Sequence, residues 1–184
     1  LSLVFSIILL IIVLTLFALL RFIVSEIFIA PLAQDEEAEL RSFAIDIQNN
    51  EFKLNLKAKE QPDLFAPLSF YSGGGFWIAR AGSAIVGSIG LQKLNTETGI
   101  MRKFFVKKEL RGTYPSIAML LFHQFLLQAK NLNLKNIFLD TPGVAVASHR
   151  FYEKNGFELI NDDQNLPNGY SFPDRSSKIY CLAL

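Results

Sequence analysis

The chain has a single cysteine, Cys181, so no disulfide can form within it, a pattern that fits a reducing compartment. Cys181 sits in an apolar C-terminal segment, where a core role is expected rather than a nucleophilic one. Histidine is nearly as scarce: His123 and His149 lie on different segments, and no metal-ligand cluster is formed in the sequence. There is almost no net charge, +1 from 18 basic and 17 acidic residues, which leaves no electrostatic case for nucleic-acid binding. Charge is absent altogether from residues 1–20, whose only polar members are Ser2, Ser6 and Thr15.

Twenty helical residues span about 30 Å, the thickness of a bilayer core. Residues 1–20 are therefore expected to be a transmembrane anchor, with Arg21 reaching back to the headgroups. A cleaved signal peptide and a buried core helix are the alternatives, although a signal peptide's apolar core is ordinarily only about 7–15 residues. Residues 22–32 carry Glu26 and are too short to span, so they are expected at the interface or packed on the domain. The division is then 1–31 as anchor and interfacial segment and 33–184 as one compact domain.

Within that domain, Leu40, Phe43, Ala44 and Ile47 recur at helical spacing, behind the acidic start Asp35, Glu36 and Glu37, and predict a helix over 35–52. Residues 53–67 read as partly loop and 72–75 as a glycine-rich break. Residues 76–80, 84–94 and 100–107 read as three strands joined by short turns, an antiparallel meander. Pro115 suits a first helical position, with Ile117, Leu120, Leu121, Phe125 and Leu127 supplying the apolar face of a helix to 132. A strand over 136–141, a helix over 144–155 ended by Gly156, a strand over 157–160, a loop over 162–176 and a last strand over 178–184 follow. The fold class is α+β, or α/β, built on one mixed sheet.

Two stretches resemble the GNAT superfamily of N-acetyltransferases. One is Val106-Lys107-Lys108-Glu109-Leu110-Arg111-Gly112-Thr113-Tyr114-Pro115-Ser116, followed by an apolar helix. It is similar to the family's strand, Arg/Gln-x-x-Gly-x-Gly/Ala loop and helix. The other is Ala147-Ser148-His149-Arg150-Phe151-Tyr152-Glu153-Lys154-Asn155-Gly156-Phe157, similar to the family's A-x-x-F-Y-x-x-x-G-F segment. Leu166-Pro167, Phe172-Pro173 and Lys178-Ile179-Tyr180 resemble tails of bacterial members, and the likeness covers about residues 76–184. The hydrophobic span ahead of such a domain, with Phe76-Trp77-Ile78-Ala79 and Leu139-Asp140-Thr141, is similar, more loosely, to the membrane-anchored camello-like branch.

The resemblance implies acetyl-CoA as cosubstrate, no metal, and a primary amine as acceptor, with membrane lipid as a partner of residues 1–20 and the domain on the cytosolic side. It implies that backbone N–H groups from Arg111 through Ile117 hold the CoA pyrophosphate, at Arg111, Gly112, Thr113, Tyr114, Ser116 and Ile117; a helix start offers unpaired donors and a positive dipole end. It implies that a backbone N–H of Phe105 or Val106 polarises the thioester carbonyl. It implies that Tyr152 protonates the departing thiolate: a phenol of pKa about 10 can donate as a thiol of pKa about 8.5 leaves. Lys107, Lys108 and Arg111 form a basic cluster open either to the CoA 3′-phosphate or to solvent, and His149, three residues before Tyr152, is a candidate for the acceptor site. The acceptor pocket is expected from residues 35–75.

Two departures keep a second reading open. Tyr114 and Ser116 stand where the family has small residues, and no acid lies at Gly99-Ile100-Met101, where the family often has a glutamate base. Glu97 and Glu109 are the nearest carboxylates and read as solvated surface charges. A membrane-tethered binding or regulatory module of the same fold is the alternative to an enzyme, and transfer of a longer acyl chain a third.

Overall fold

The computed structural model describes residues 27–161, 166–172 and 176–184. The meander forms as the alternation requires. In β2 (Gly75–Ala81), Phe76 and Ile78 bury on one face and Trp77 and Ala79 on the other, the pattern of a strand covered on both sides. β3 (Ala84–Lys93) and β4 (Thr98–Val106) pair with it in turn, all antiparallel. With β1 (Ile27–Pro31), β5 (Asn136–Thr141), β6 (Glu158–Ile160) and β7 (Lys178–Ala183), the sheet has the order β1-β2-β3-β4-β5-β7-β6.

Helices cover both faces. α3 (Ile117–Asn131) presents Ile117, Leu121, Phe122, Phe125 and Ala129 as one buried stripe, packed with Trp77, Val86, Ile89, Leu91 and Ile137 of the sheet. Full burial of a side chain such as Phe125 contributes about 1.5–3 kcal/mol, and truncating it to alanine costs about 3–5 kcal/mol. α1 (Glu37–Ile45) closes the other face, with Leu40 against Leu32, Tyr71, Phe76, Ile78 and Ile85. The short α2 (Pro67–Phe70) leads into β2, and α4 (Val146–Lys154) ends where Gly156 takes φ +86°, a conformation that favours glycine at a helix end.

Only β4 and β5 run parallel, and they pair over three positions: Thr98 with Asn136, Gly99 with Ile137 and Ile100 with Phe138. Beyond these, β4 continues to Val106 and β5 to Thr141 without pairing to each other. A bulge accounts for the parting. Ser88 faces Phe105 and Gly90 faces Arg102, so Lys103 and Phe104 together oppose Ile89. Lys103 adopts φ +51°, and the buried Ser88 hydroxyl donates to its carbonyl at 2.7 Å. A bulge bends its strand and increases the local twist; β4 swings away from β5 and a cleft opens between them.

Several expectations are corrected. The boundary at residue 33 falls inside the fold, because Ile27–Pro31 pairs with β2 along its length, from Ile27 opposite Ala81 to Pro31 opposite Trp77. A segment read as the tail of an apolar run is an edge strand. The helix expected over 35–52 comprises a 3-10 turn (Gln34–Glu36), α1 and a π-helical turn (Asp46–Glu51). Pro115 does not open α3: it follows a cis peptide bond from Tyr114, and Ser116 caps the helix by accepting from Met119 N–H at 3.3 Å. The hydrophobic run over 1–20 lies outside the described residues, and among the described residues no helix is long and apolar enough to cross a membrane.

Candidate active site

The cleft between the parted strands has a volume of about 560 Å³, within the range of about 300–1,000 Å³ usual for small-molecule sites. β4 forms one wall from Met101 to Val106, the ends of β5 and α4 form the second, and the segment from Gln48 to Leu56 forms the third. Arg111, Gly112, Ser116 and Ala118 close one end.

Backbone direction along β4 is fixed by its ladder. Lys107 N–H donates to Val86 O at 2.8 Å. Strand alternation then turns the N–H and C=O of Val106 away from β3 and into the cleft, while those of Phe105, paired with Ser88, face β3. The side chain of Phe105 still lines the cleft. The Val106 carbonyl accepts from Arg111 Nε at 2.8 Å.

Tyr152, on α4, lines the cleft from within an aromatic cluster. Its ring lies 5.5 Å from Phe157, 5.9 Å from Phe151, 5.9 Å from Tyr180 and 6.4 Å from Phe104, centroid to centroid. The ring is buried, and its hydroxyl makes no hydrogen bond to the described residues. Burial pushes the phenol above its ordinary value, and the negative charge of Asp140 adds to the shift.

Asp140, near the end of β5, faces the same cleft. Tyr170 OH donates to it at 3.0 Å, and the Arg102 guanidinium stands 4.0 Å away. Arg102 is itself fixed by Gln92 Oε1 at 2.7 Å and the Ser171 carbonyl at 2.6 Å. Burial raises the Asp140 carboxyl above its ordinary value against the pull of Arg102 and Tyr170. Beside it, Lys103 is paired with Asp63 at 3.2 Å and hydrogen-bonded to Gln61 at 3.3 Å, and Tyr71 OH donates to Asp63 at 2.7 Å. Burial lowers the Lys103 ammonium, with Asp63 opposing the shift.

The expected site residues divide. Phe105, Val106, Arg111, Gly112, Ser116 and Tyr152 line one cleft. Thr113, Tyr114 and Ile117 are not among its lining: Thr113 donates its hydroxyl to Leu110 O at 2.8 Å, Tyr114 is fully exposed, and the Ile117 side chain is in the core. Arg111 is not a free cation, because Glu51 engages both of its terminal nitrogens, one of them at 2.8 Å, and its guanidinium lies 5.9 Å from the Phe52 ring centroid. Lys107 and Lys108 are exposed and are not among its lining residues. His149 does not reach it either; its buried Nε2 donates to Pro142 O at 3.1 Å. Glu97 pairs with Lys135 on the surface, and Glu109 and His123 are exposed. Cys181 is half-buried in β7, outside the cleft.

Asp140 and the Arg102, Lys103 and Asp63 charges were missed from sequence. Asp140 read as a strand residue within the Leu139-Asp140-Thr141 likeness and was given no chemical role, and Asp63 lies 40 positions from Lys103, so only the fold unites them. The one available signal was a charged pair, Arg102-Lys103, inside an otherwise apolar strand. No group of metal-binding side chains occurs among the described residues.

Comparison with known proteins places this architecture. The acetyltransferase (GNAT) domain family matches residues 72–159. No curated protein matches the chain significantly. An acetyltransferase from Streptococcus agalactiae superposes with a TM-score of 0.81 at 36% identity, over 86% of this chain and 98% of that one. A GNAT-family acetyltransferase from Staphylococcus aureus gives 0.80 at 31% identity, over 85% and 98%. The PaiA N-acetyltransferase of Thermoplasma acidophilum, solved with coenzyme A, shares the fold at a TM-score of 0.66 and 17% identity, over 86% and 99%. Over nearly the whole length of two relatives above 30% identity, with the parted β4 and β5 at its centre, the chain belongs to the GNAT family of acetyltransferases.

Proposed function

We propose that the protein transfers an acetyl group from acetyl-CoA to a primary amine by direct attack within one ternary complex. The observation that carries the reading is that Tyr152, Asp140 and the inward-facing Val106 N–H open on one cleft. The residues present fit the cosubstrate. The Val106 N–H is a fixed donor with no strand opposite it, Gly112 at φ +74° has open space around it, and Ser116 starts a 15-residue helix at the cleft end. Arg111, Gly112, Ser116 and the first α3 N–H groups would hold the diphosphate, and β4 the arm that leads from it. Bound there, acetyl-CoA supplies an activated acyl carbon.

The chain's own groups then divide the work. Val106 N–H donates to the carbonyl oxygen as negative charge develops on it. Asp140 takes the proton that the amine nitrogen loses as its lone pair forms the new C–N bond. Its raised pKa suits a base working nearer neutral pH. Tyr152 gives its proton to the sulfur as the C–S bond breaks, and burial keeps that phenol protonated until then. The proton held by Asp140 passes to the Tyr152 oxygen through cleft water, which returns both groups to their starting state.

The cleft also supports the enzyme over a non-catalytic module. Asp140 provides the carboxylate absent from the start of β4, and Tyr114 points to solvent, clear of the lining. The charge-free run over 1–20 supports a further part of the reading: a single-pass, camello-like anchor with the domain in the cytosol, where acetyl-CoA is available. Membrane fractionation with protease protection tests it, and release by high salt would refute it. Calorimetry of acetyl-CoA with the full chain in detergent tests the enzyme. Micromolar binding is expected for the wild type and none for a folded Ser116→Trp variant. Absence of binding to the folded wild type would refute acetyl transfer.

A further inference from the structure

Asp140 is held from outside the cleft. Tyr170, whose hydroxyl meets it, is not among the lining residues and lies on the connection between β6 and β7. The local sequence shapes that connection. Pro167, Asn168, Gly169 and Tyr170 form a turn, closed by Tyr170 N–H donating to Pro167 O at 3.0 Å, and Gly169 takes φ +83° as its third residue. That conformation favours glycine. The Tyr170 ring packs 5.3 Å from Phe172 and 6.4 Å from Phe138 of β5, centroid to centroid. Arg102 of β4 fastens the same stretch. Its guanidinium lies 5.9 Å from the Tyr170 ring centroid and donates to Ser171 O at 2.6 Å.

These contacts converge on one atom. Tyr170 OH donates to Asp140 Oδ1 at 3.0 Å, whereas Arg102 Nη1 stands 4.0 Å from the same oxygen, beyond hydrogen-bond distance. Among the described side chains, Tyr170 is therefore the hydrogen-bond donor to this carboxylate. The other titratable groups acting on Asp140 come from three elements. Lys103 of β4 adds positive charge but is paired with Asp63 at 3.2 Å. Tyr71, ahead of β2, and Tyr152, on α4, are phenols that burial keeps neutral. Burial penalises the Asp140 charge, and Arg102, Tyr170 and Lys103, in that order, oppose the penalty. Burial and the Asp140 charge push the Tyr170 phenol far up, so it remains a donor wherever a carboxylate titrates.

Resting on the acetyl-transfer reading, we propose that Tyr170 is a positioning residue for Asp140: its hydroxyl fixes the carboxylate at Oδ1 and keeps it ionised to receive the amine proton. A carboxylate buried without a donor takes up a proton, and a base that already holds one cannot accept another. The connection between β6 and β7 thereby sets the base, although Tyr170 is outside the cleft lining.

NMR titration of the full chain in detergent, carrying aspartate enriched in carbon-13 at Cγ, tests the proposal, and the Asp140→Asn spectrum identifies the resonance. Tyr170→Phe keeps the ring and removes the donor. It is expected to strengthen proton binding at Asp140 about tenfold or more, the size of a hydrogen bond to a charged group, and so to move the midpoint to higher pH. Tyr152→Phe, which removes a hydroxyl with no hydrogen bond to the described residues, is expected to leave that proton binding within about threefold of wild type. Gly169→Val strains the exposed turn without altering a buried side chain, and is expected to act in the direction of Tyr170→Phe. Circular dichroism identifies the folded variants. A midpoint unmoved or lowered in Tyr170→Phe overturns the proposal, and should that variant not fold, Gly169→Val decides by the same criterion. An equal rise in Tyr152→Phe also overturns it, because any disturbance of the cleft would then suffice. Calorimetric binding of acetyl-CoA without the midpoint shift ends this inference alone. Absence of binding to the folded wild type ends the acetyl-transfer reading, and with it the role given to Tyr170.

Discussion

Replacing Tyr152 by phenylalanine separates a chemical role from a packing role. The ring stays among Phe104, Phe151, Phe157 and Tyr180, so the buried apolar surface is unchanged. The lost hydroxyl makes no hydrogen bond to the described residues, so none of the about 0.5–1.5 kcal/mol of a typical protein hydrogen bond is forfeited. One kcal/mol moves Tm by about 2–4 °C in a domain of this size, and the Tm of Tyr152→Phe is expected within about 2 °C of wild type. Tyr180→Phe is the control. Its neighbouring hydroxyl donates to Glu153 at 3.0 Å, so its loss should lower Tm by about 2–4 °C and leave turnover in place. Loss of a positioned general acid lowers kcat by about 10²–10⁴-fold in Tyr152→Phe. The pH dependence fixes the assignment. Burial raises the phenol, so it is still protonated where an ordinary tyrosine titrates, and the wild-type rate should hold through pH 10. Differential scanning calorimetry and a thiol-release assay over pH 6–10.5 measure both quantities. A Tyr152→Phe enzyme with kcat within threefold of wild type would refute the reasoning, as would a wild-type alkaline limb near pH 8–9 that the substitution removes.

Asp140→Asn is expected to lower kcat by about 10²–10⁴-fold and to abolish the acid limb of the pH–rate profile, which in the wild type lies above the ordinary carboxylate value because burial raises this group. The same shift has a stability sign: the folded state binds the Asp140 proton more tightly than the unfolded chain, so its contribution is present below pH 3.8 and lost as pH rises through the folded value. The asparagine variant should flatten that part of the Tm-against-pH curve, and an unchanged curve would count against it. Gly90→Ala would place a Cβ 2.8 Å from both Phe76 Cδ2 and Tyr71 Cε1, two buried rings already in edge contact at 5.0 Å. The overpacking should cost about 1–3 kcal/mol in urea unfolding, and an unshifted midpoint would show that the rings can yield.

The local grammar of this fold was legible in the residues. The meander showed as alternation broken by Ala81-Gly82-Ser83 and by residues 95–99, and α3 as a helical stripe, although Leu120 and Leu127, expected on its buried face, are exposed and Phe122 and Ala129 are buried instead. The turn from α4 showed in Gly156, and Tyr152 was marked by its neighbours Phe151, Gly156 and Phe157. Reading failed where two local signals coincide. Residues 27–31 continue an apolar run, and nothing in their pattern separates the end of a hydrophobic helix from an edge strand until β2 offers a partner. Pro115 carries a helix-start signal, but a hydroxyl that can cap lies one residue further on, and the capped start prevailed.

The sequence by itself determined the strands from β2 to β7 and the helices α1, α3 and α4, because period and turn chemistry act over a few residues; β1 and the short α2 it did not. It also determined the family, through two short motifs. Tertiary structure alone decided the cleft. The parting of β4 from β5 depends on a bulge set against β3, and the bulge fixes which backbone N–H, that of Val106, faces inward. Tertiary structure also decided the state of the charges. Arg111 meets Glu51 from 60 residues away, and Asp140 meets Arg102 and Tyr170 across the sheet. Whether a charged side chain is free to bind a substrate is a property of its surroundings, and those surroundings come from segments far apart in the chain.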